Sequence, residues 1–472
     1  MTKERSPGVK LLMVCMIGAA LIVPIMMVYL LVSDRQHQAR IAQESVNNAW
    51  AGPQVVAGPQ LVVPYRVTRE TQEVVDGKPV TRRSQVRELL YIAPSKQTLD
   101  TTIDPEVRSR GTIHKSVVYD TAIKGTARFA MPEDLGRLGT EPEQLLLEEA
   151  LVQFPISDPR GLQTDASLTV AGEKLDLRPG LGNSEAGSGV HAFYDWSEGE
   201  ELAIDFAYGL RGSSAFSMVP RGEETNLSVK SSWPHPSFTG GFLPGDADKE
   251  VSADGFTAKW SISNLALGQS LVSTASPGLP SGQLVDEARA YETFEEVPQT
   301  TEVKMATIRL MEPVDLYKRV ERALKYGFLF IGFTFLAFLM FDIVAGARVA
   351  SAEYLLTGAG LVLFFVMLLA FAEIIGFALA YVVASGAIIG LLTSYSAAVL
   401  GGWRRAGFIA ALLTGLYAVL YVLLNLEAWS LMIGSLMLFL ALAAVMYATR
   451  AIDWSAVTIT NPEEPEPVYN PA

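Results

Sequence analysis

Cysteine is nearly missing from this 472-residue chain: Cys15 stands alone, inside an apolar run. No disulfide can form within one chain, so the segments outside that run are held by packing, even in an oxidising compartment. Histidine is also scarce. His37, His114, His191 and His235 show no HxxxH, HxH or HExxH spacing, so no zinc pattern is present. GxSxG and P-loop motifs are absent as well. Basic residues number 37 against 50 acidic ones, a net charge of −13. That balance argues against nucleic acid, which needs basic patches to neutralise phosphates. No cofactor or metal is implied. Acidic pairs such as Glu148-Glu149 and Glu295-Glu296 read as solvated surface. A glycosidase needs two carboxylates brought together in a cleft. A carbohydrate- or peptidoglycan-acting enzyme therefore stays open as an alternative.

What the chain has in quantity is apolar sequence, half of all residues, unevenly placed. Residues 11–32, LLMVCMIGAALIVPIMMVYLLV, contain no charge. About twenty apolar residues cross the hydrocarbon core. The run is too long for a signal peptide and ends without a convincing cleavage site, so an uncleaved anchor is expected over residues 1–32. Pro24 within it suggests a kink that membrane helices tolerate. Five further spans are expected, at about 326–345, 354–372, 374–398, 406–425 and 430–448. The run from Tyr354 to Val399 as one helix would be roughly 70 Å long, against about 30 Å of hydrocarbon. The chain must therefore turn between Glu373 and Gly376.

Basic residues set the expected orientation. Lys3, Arg5 and Lys10 place the N-terminus in the cytoplasm. Six crossings then put Arg348, Arg404, Arg405 and Arg450 inside, while the turns near Glu373 and Asn425–Trp429 carry no Lys or Arg. Lys318, Arg319, Arg322 and Lys325 disagree, but they follow a long translocated region, where the rule is weak. With Leu316, Tyr317, Val320 and Leu324 they read as an interfacial helix over acidic headgroups, or equally as a polar helix end.

Between the apolar blocks, residues 33–317 read as a β-rich, sandwich-like periplasmic domain. Segments 60–68, 87–93, 111–120, 201–210, 226–233 and 256–262 alternate with the period of two. Asp76-Gly77 and Ala171-Gly172 suggest hairpins. Only EPEQLLLEEALVQF, 141–154, reads as helical. The echo GPQVVAGPQLVVP, 52–64, reads as paired turns leading into the first strand. The tail 449–472, ending NPEEPEPVYNPA, reads as disordered.

Four residues carry the candidate chemistry: Trp233, His235, Asp342 and Glu373. In SSWPHPSFTGGFLP, 231–244, Pro234 and Pro236 hold Trp233 and His235 extended. A rigid corner anchored by Trp233, Phe238 and Phe242 is the plainer reading, with His235 donating to a backbone carbonyl. A metal or catalytic histidine is the alternative. Asp342 and Glu373 lie within or beside apolar runs, where a carboxylate costs about 2.5–3.5 kcal/mol and hints at function. Asp342 lies near the cytoplasmic end, where Arg348 could pair with it; Glu373 falls at the outer boundary. Gly386 and Gly390 form a GxxxG, and Gly376, Ala380 and Ala384 repeat at spacing four, both faces suited to close helix approach.

Taken together, GPQ with VVPY, DPRGL (158–162), GVH (189–191), WPHPSF with FLP, and IDW (452–454) resemble the CreD family of bacterial inner-membrane proteins. The resemblance spans about residues 10–455 and implies a role in cell-envelope integrity linked to the CreBC two-component regulon. It implies no activity, cofactor or mechanism. The expected architecture is an anchor, a large β domain and a five-helix bundle, with both termini cytoplasmic. The first functional reading is binding or scaffolding, with the lipid bilayer and an unidentified envelope protein or glycan as partners. A transporter or channel using Asp342 and Glu373 is the second.

Overall fold

The computed structural model describes residues 7–75, 78–110, 114–133, 135–138, 144–182, 187–279, 304–310, 316–344, 349–425 and 430–450. The chain forms two compact units: Met1–Ala39 with Val314–Ala472, and Arg40–Pro313.

The second unit is built from three sheets. The largest has eight strands, in the order Lys249–Ser252, Gly255–Ser263, Glu224–Ser231, Lys96–Arg110, His114–Phe129, Leu202–Ser213, Ser167–Val170 and Glu173–Leu175. Alternation decides its faces: Leu202, Ile204 and Phe206 are buried while Ala203 and Asp205 are exposed. The six-stranded sheet is centred on the hairpin Gln60–Val75 and Lys78–Ile92, in register from Leu61 opposite Ile92 to Val75 opposite Lys78. The expected turn residues Asp76 and Gly77 lie outside the described residues. Four strands make the smallest sheet: Gln54–Ala57, Ala215–Val219, Ala306–Leu310 and Pro236–Gly240. One core joins all three and includes the aromatic group Phe154, Phe206 and Tyr208, with centroids 5.1–6.2 Å apart. The Ala171-Gly172 turn closes its hairpin with φ of 47° and 88°, the left-handed pair such a two-residue turn requires.

Two local expectations fail. The helix expected over 141–154 is a single 3-10 turn, Leu147–Glu149, followed by a strand, Leu151–Pro155; residues 141–143 lie outside the described residues. That strand pairs with Gly189–Phe193 on one side and with Gln60–Val62 on the other. A strand buried on both faces reads as a continuous apolar run, which periodicity cannot tell from a buried helix. The echo at 52–64 also divides. Its first copy, Gln54–Ala57, is a strand parallel to Ala215–Val219, while the second opens the six-stranded sheet.

The N-terminal helix α1, Pro7–Ala49, outruns the expected 11–32 and contains Pro24. Its last turns belong to the β unit, where Ser116 Oγ donates to Asn47 Oδ1 at 2.7 Å. Beyond them, Arg108 and Arg211 both lie over the Trp50 ring. A four-residue helix, α2, Asn264–Leu267, completes the β unit.

In the other unit, α1 buries Val14, Leu21, Val28 and Val32, at spacings of seven, seven and four. The remaining helices are α3 Leu316–Lys325, α4 Gly327–Val344, α5 Ser351–Ile375, α6 Phe377–Val399, α7 Trp403–Asn425 and α8 Ser430–Thr449. Among the described residues five helices are long and apolar enough to cross a membrane: Gly8–Ala49, Leu316–Ile343, Ser351–Ile375, Phe377–Val399 and Trp403–Asn425. Helix α8 occupies the stretch expected for the last span. The expected turn falls at Gly376, whose φ of +80° ends α5 and begins α6. At Gly358, an added Cβ would lie 2.1 Å from Leu21 Cδ1, so that glycine admits α1. The small residues divide differently from expectation. Ala380 and Ala384 are fully buried. Gly386 and Gly390 are exposed, with nothing within 4 Å of an added Cβ, so their GxxxG packs no helix among the described residues.

Candidate functional site

The WPHPSF corner is set by its prolines and by the pairing of Pro236–Gly240 with Ala306–Leu310. Phe238 points its edge at Phe256 and Trp260, at 5.7 and 5.9 Å. Trp233, Phe238 and Phe242 are half-buried against the core. Trp260 is buried, and its Nε1 donates to Phe242 O at 3.3 Å. His235 is exposed and, among the described hydrogen bonds, donates to no carbonyl, contrary to expectation. The buried histidine is His191, whose Nδ1 donates to Gly180 O at 2.9 Å and whose ring meets Phe193 edge-on. No group of three His, Cys, Asp or Glu suited to a metal occurs among the described residues. A buried cation, Arg221, donates from Nη2 to Pro277 O and Gly278 O at 2.8 and 2.6 Å; burial pushes its pKa down to about 10.

The two membrane carboxylates sit in separate places. The Asp342 side chain is 1% exposed. Its Oδ1 accepts from Lys10 Nζ at 2.9 Å and from Val349 N at 3.3 Å, while Oδ2 has no partner among the described residues. The expected partner, Arg348, lies outside the described residues. Lys10 reaches Asp342 because the buried stripe of α1 holds it in the bundle. Its charge is legible as an orientation signal, but its partner lies 332 positions away. Glu373, half-buried near the end of α5, accepts from Tyr317 Oη of α3 at 3.2 Å. Val349 precedes α5 and Glu373 nearly ends it, so roughly 36 Å of helix separates the two sites. On α3, Tyr317, Val320, Ala323 and Leu324 are buried. Arg319 lies over the Phe377 ring and Lys325 pairs with Glu321 at 3.0 Å.

A family model described as inner membrane protein CreD matches residues 6–455. The chain belongs to the CreD family. The inner membrane protein CreD of Escherichia coli (strain K12) is 31% identical over 457 residues, 95% of this chain and 94% of that protein. CreD membership and the apolar helices together make this a multi-pass inner-membrane protein. Among solved structures, a candidate nutrient binding protein from Legionella pneumophila aligns with a TM-score of 0.16 and 12% identity. It covers 36% of this chain and 65% of that one, and at this score the likeness carries no argument.

Proposed function

We propose that this protein serves cell-envelope integrity without catalysis, with its β unit in the periplasm as a binding or scaffolding module and its helices as a membrane platform. Both termini are cytoplasmic in this reading. One observation supports scaffolding over transport: Asp342 and Glu373 are each tied to a local partner, Lys10 and Tyr317, at opposite ends of α5. A pathway needs ionisable groups within relay distance, and roughly 36 Å of helix between these two is far beyond it. A buried carboxylate that pairs one helix with another serves packing instead.

The test is rescue of envelope-stress tolerance in a null strain. Glu373→Gln keeps the side chain's size and its capacity to accept from Tyr317. The scaffolding reading expects full rescue at normal protein level. Loss of rescue at normal level would shift the assignment to transport.

A further inference from the structure

The outward face of the eight-stranded sheet carries an unusual floor. Strand register places Asn226, Thr98, Thr126, Asp205 and Thr169 in one straight row across five strands. A second row, two positions along, runs Lys259, Ser228, Asp100, Lys124, Ala207. The residues between them, such as Leu99, Leu227 and Phe206, are buried on the core side. Both rows are built from short side chains or flexible lysines, so the face is hollowed along them. Two depressions of about 320 and 270 Å³ lie along the rows and meet at Thr98. They extend from strand Gly255–Ser263 to strand Ser167–Val170, six strands. At about 4.8 Å per strand that is a trough of roughly 24 Å, crossing the strands at right angles. Beside the trough, Asn226 Nδ2 donates to Glu224 Oε1 at 2.7 Å and Lys96 lies 3.4 Å from the same oxygen. Those contacts hold Asn226 in place and keep the Glu224 carboxyl below the usual range.

The chemistry of the lining selects the occupant. It contains three aspartates, Asp100, Asp205 and Asp248, against two lysines, Lys124 and Lys259, interspersed. Such a near-balanced floor gives neither a polyanion nor a polycation much net attraction. An extended peptide recognises unpaired backbone groups at a sheet edge, and a sheet face offers none. What this face offers is a line of hydroxyl, amide, carboxylate and ammonium groups. Ala207 adds a small apolar spot to the larger depression.

We propose that this trough binds a neutral glycan chain laid across the strands, its hydroxyls on the two rows and a sugar C–H face on the Ala207 patch. The proposal rests on the reading of the β unit as a binding module and names its ligand class. The test uses the full chain in detergent micelles. The probes are neutral hexasaccharides, including a β-linked N-acetylglucosamine hexamer, together with polyphosphate and an unstructured peptide. Binding of a neutral hexamer that weakens at least tenfold in Thr98→Trp and in Thr126→Arg is expected, with melting temperature unchanged. Both positions face outward, so the fold tolerates the change. Affinity should hardly change with salt, because no counterions are released. Absence of hexamer binding, or binding that both substitutions leave intact, overturns the proposal. Binding of polyphosphate or the peptide in the trough, lost in the same variants, overturns the glycan assignment and leaves the binding-module reading standing. Full rescue of envelope-stress tolerance by Thr98→Trp, with no probe bound, overturns both.

Discussion

Replacing Lys10 with methionine tests how the N-terminal helix is held. Lys10 keeps 21% of its side chain exposed, whereas Asp342 keeps 1%. Among the described residues, the variant therefore leaves the carboxylate buried with Val349 N as its remaining donor. Removing one partner of a buried pair costs about 3–5 kcal/mol. The residual exposure of Lys10 places the expected loss at the lower end, about 3 kcal/mol. Asp342→Leu should cost less, about 1–3 kcal/mol, because the freed ammonium can extend toward water. The double variant Lys10→Met/Asp342→Leu removes both desolvated charges and should fall within about 1 kcal/mol of the parent. The assay is reversible unfolding of the full chain in mixed micelles with increasing denaturing detergent, read as a double-mutant cycle. A coupling near 2 kcal/mol or above is expected. Single variants both within about 0.5 kcal/mol of the parent, or additive losses in the double variant, would refute the clamp.

Three more outcomes follow from the packing. Trp260→Ala should cost about 3–5 kcal/mol, half-buried Trp233→Ala clearly less, and exposed His235→Ala under about 0.5 kcal/mol. Zinc bound stoichiometrically by the parent and lost in His235→Ala would reverse that ranking's rationale. Gly189 of the GVH motif has φ of +154°, and an added Cβ would lie 2.1 Å from Phe154 O. Gly189→Ala should therefore destabilise by about 2–4 kcal/mol in thermal unfolding, and a neutral result would contradict the strand register. For orientation, a cysteine at Asp76 should react with an impermeant reagent in spheroplasts and one at Arg404 should not; the opposite labelling pattern would overturn the topology.

The helices were legible because spans are long and nearly free of charge, and because Gly376 interrupts them where length demanded a turn. The Ala171-Gly172 hairpin was legible from its turn residues. Partition into three sheets was not. It depends on pairings such as Lys96–Arg110 alongside Glu224–Ser231, parallel and distant in sequence. The two copies of GPQ meet different partner strands, one parallel and one antiparallel. Residues 141–154 carry a helical pattern that sheet pairing overrides. At the candidate sites, a histidine between prolines drew notice, yet exposure gives His235 to solvent and His191 to the interior. Asp342 was legible as a costly residue, while its partner Lys10 was masked by its other role as a topology signal. The trough consists of ordinary Ser, Thr, Asp and Lys, and only register lines them up. The disordered reading of 461–472 and the IDW motif fall outside the described residues.

In the proposed function the membrane carboxylates fasten helices and do not conduct. This reading is tested most directly by Lys10→Met/Asp342→Leu combined with Glu373→Gln, produced at parental level in a null strain. This variant removes both carboxylates and the Lys10 ammonium. The account predicts envelope-stress tolerance equal to that of the parent. Loss of tolerance, with the variant correctly inserted and as stable as the parent, would contradict it.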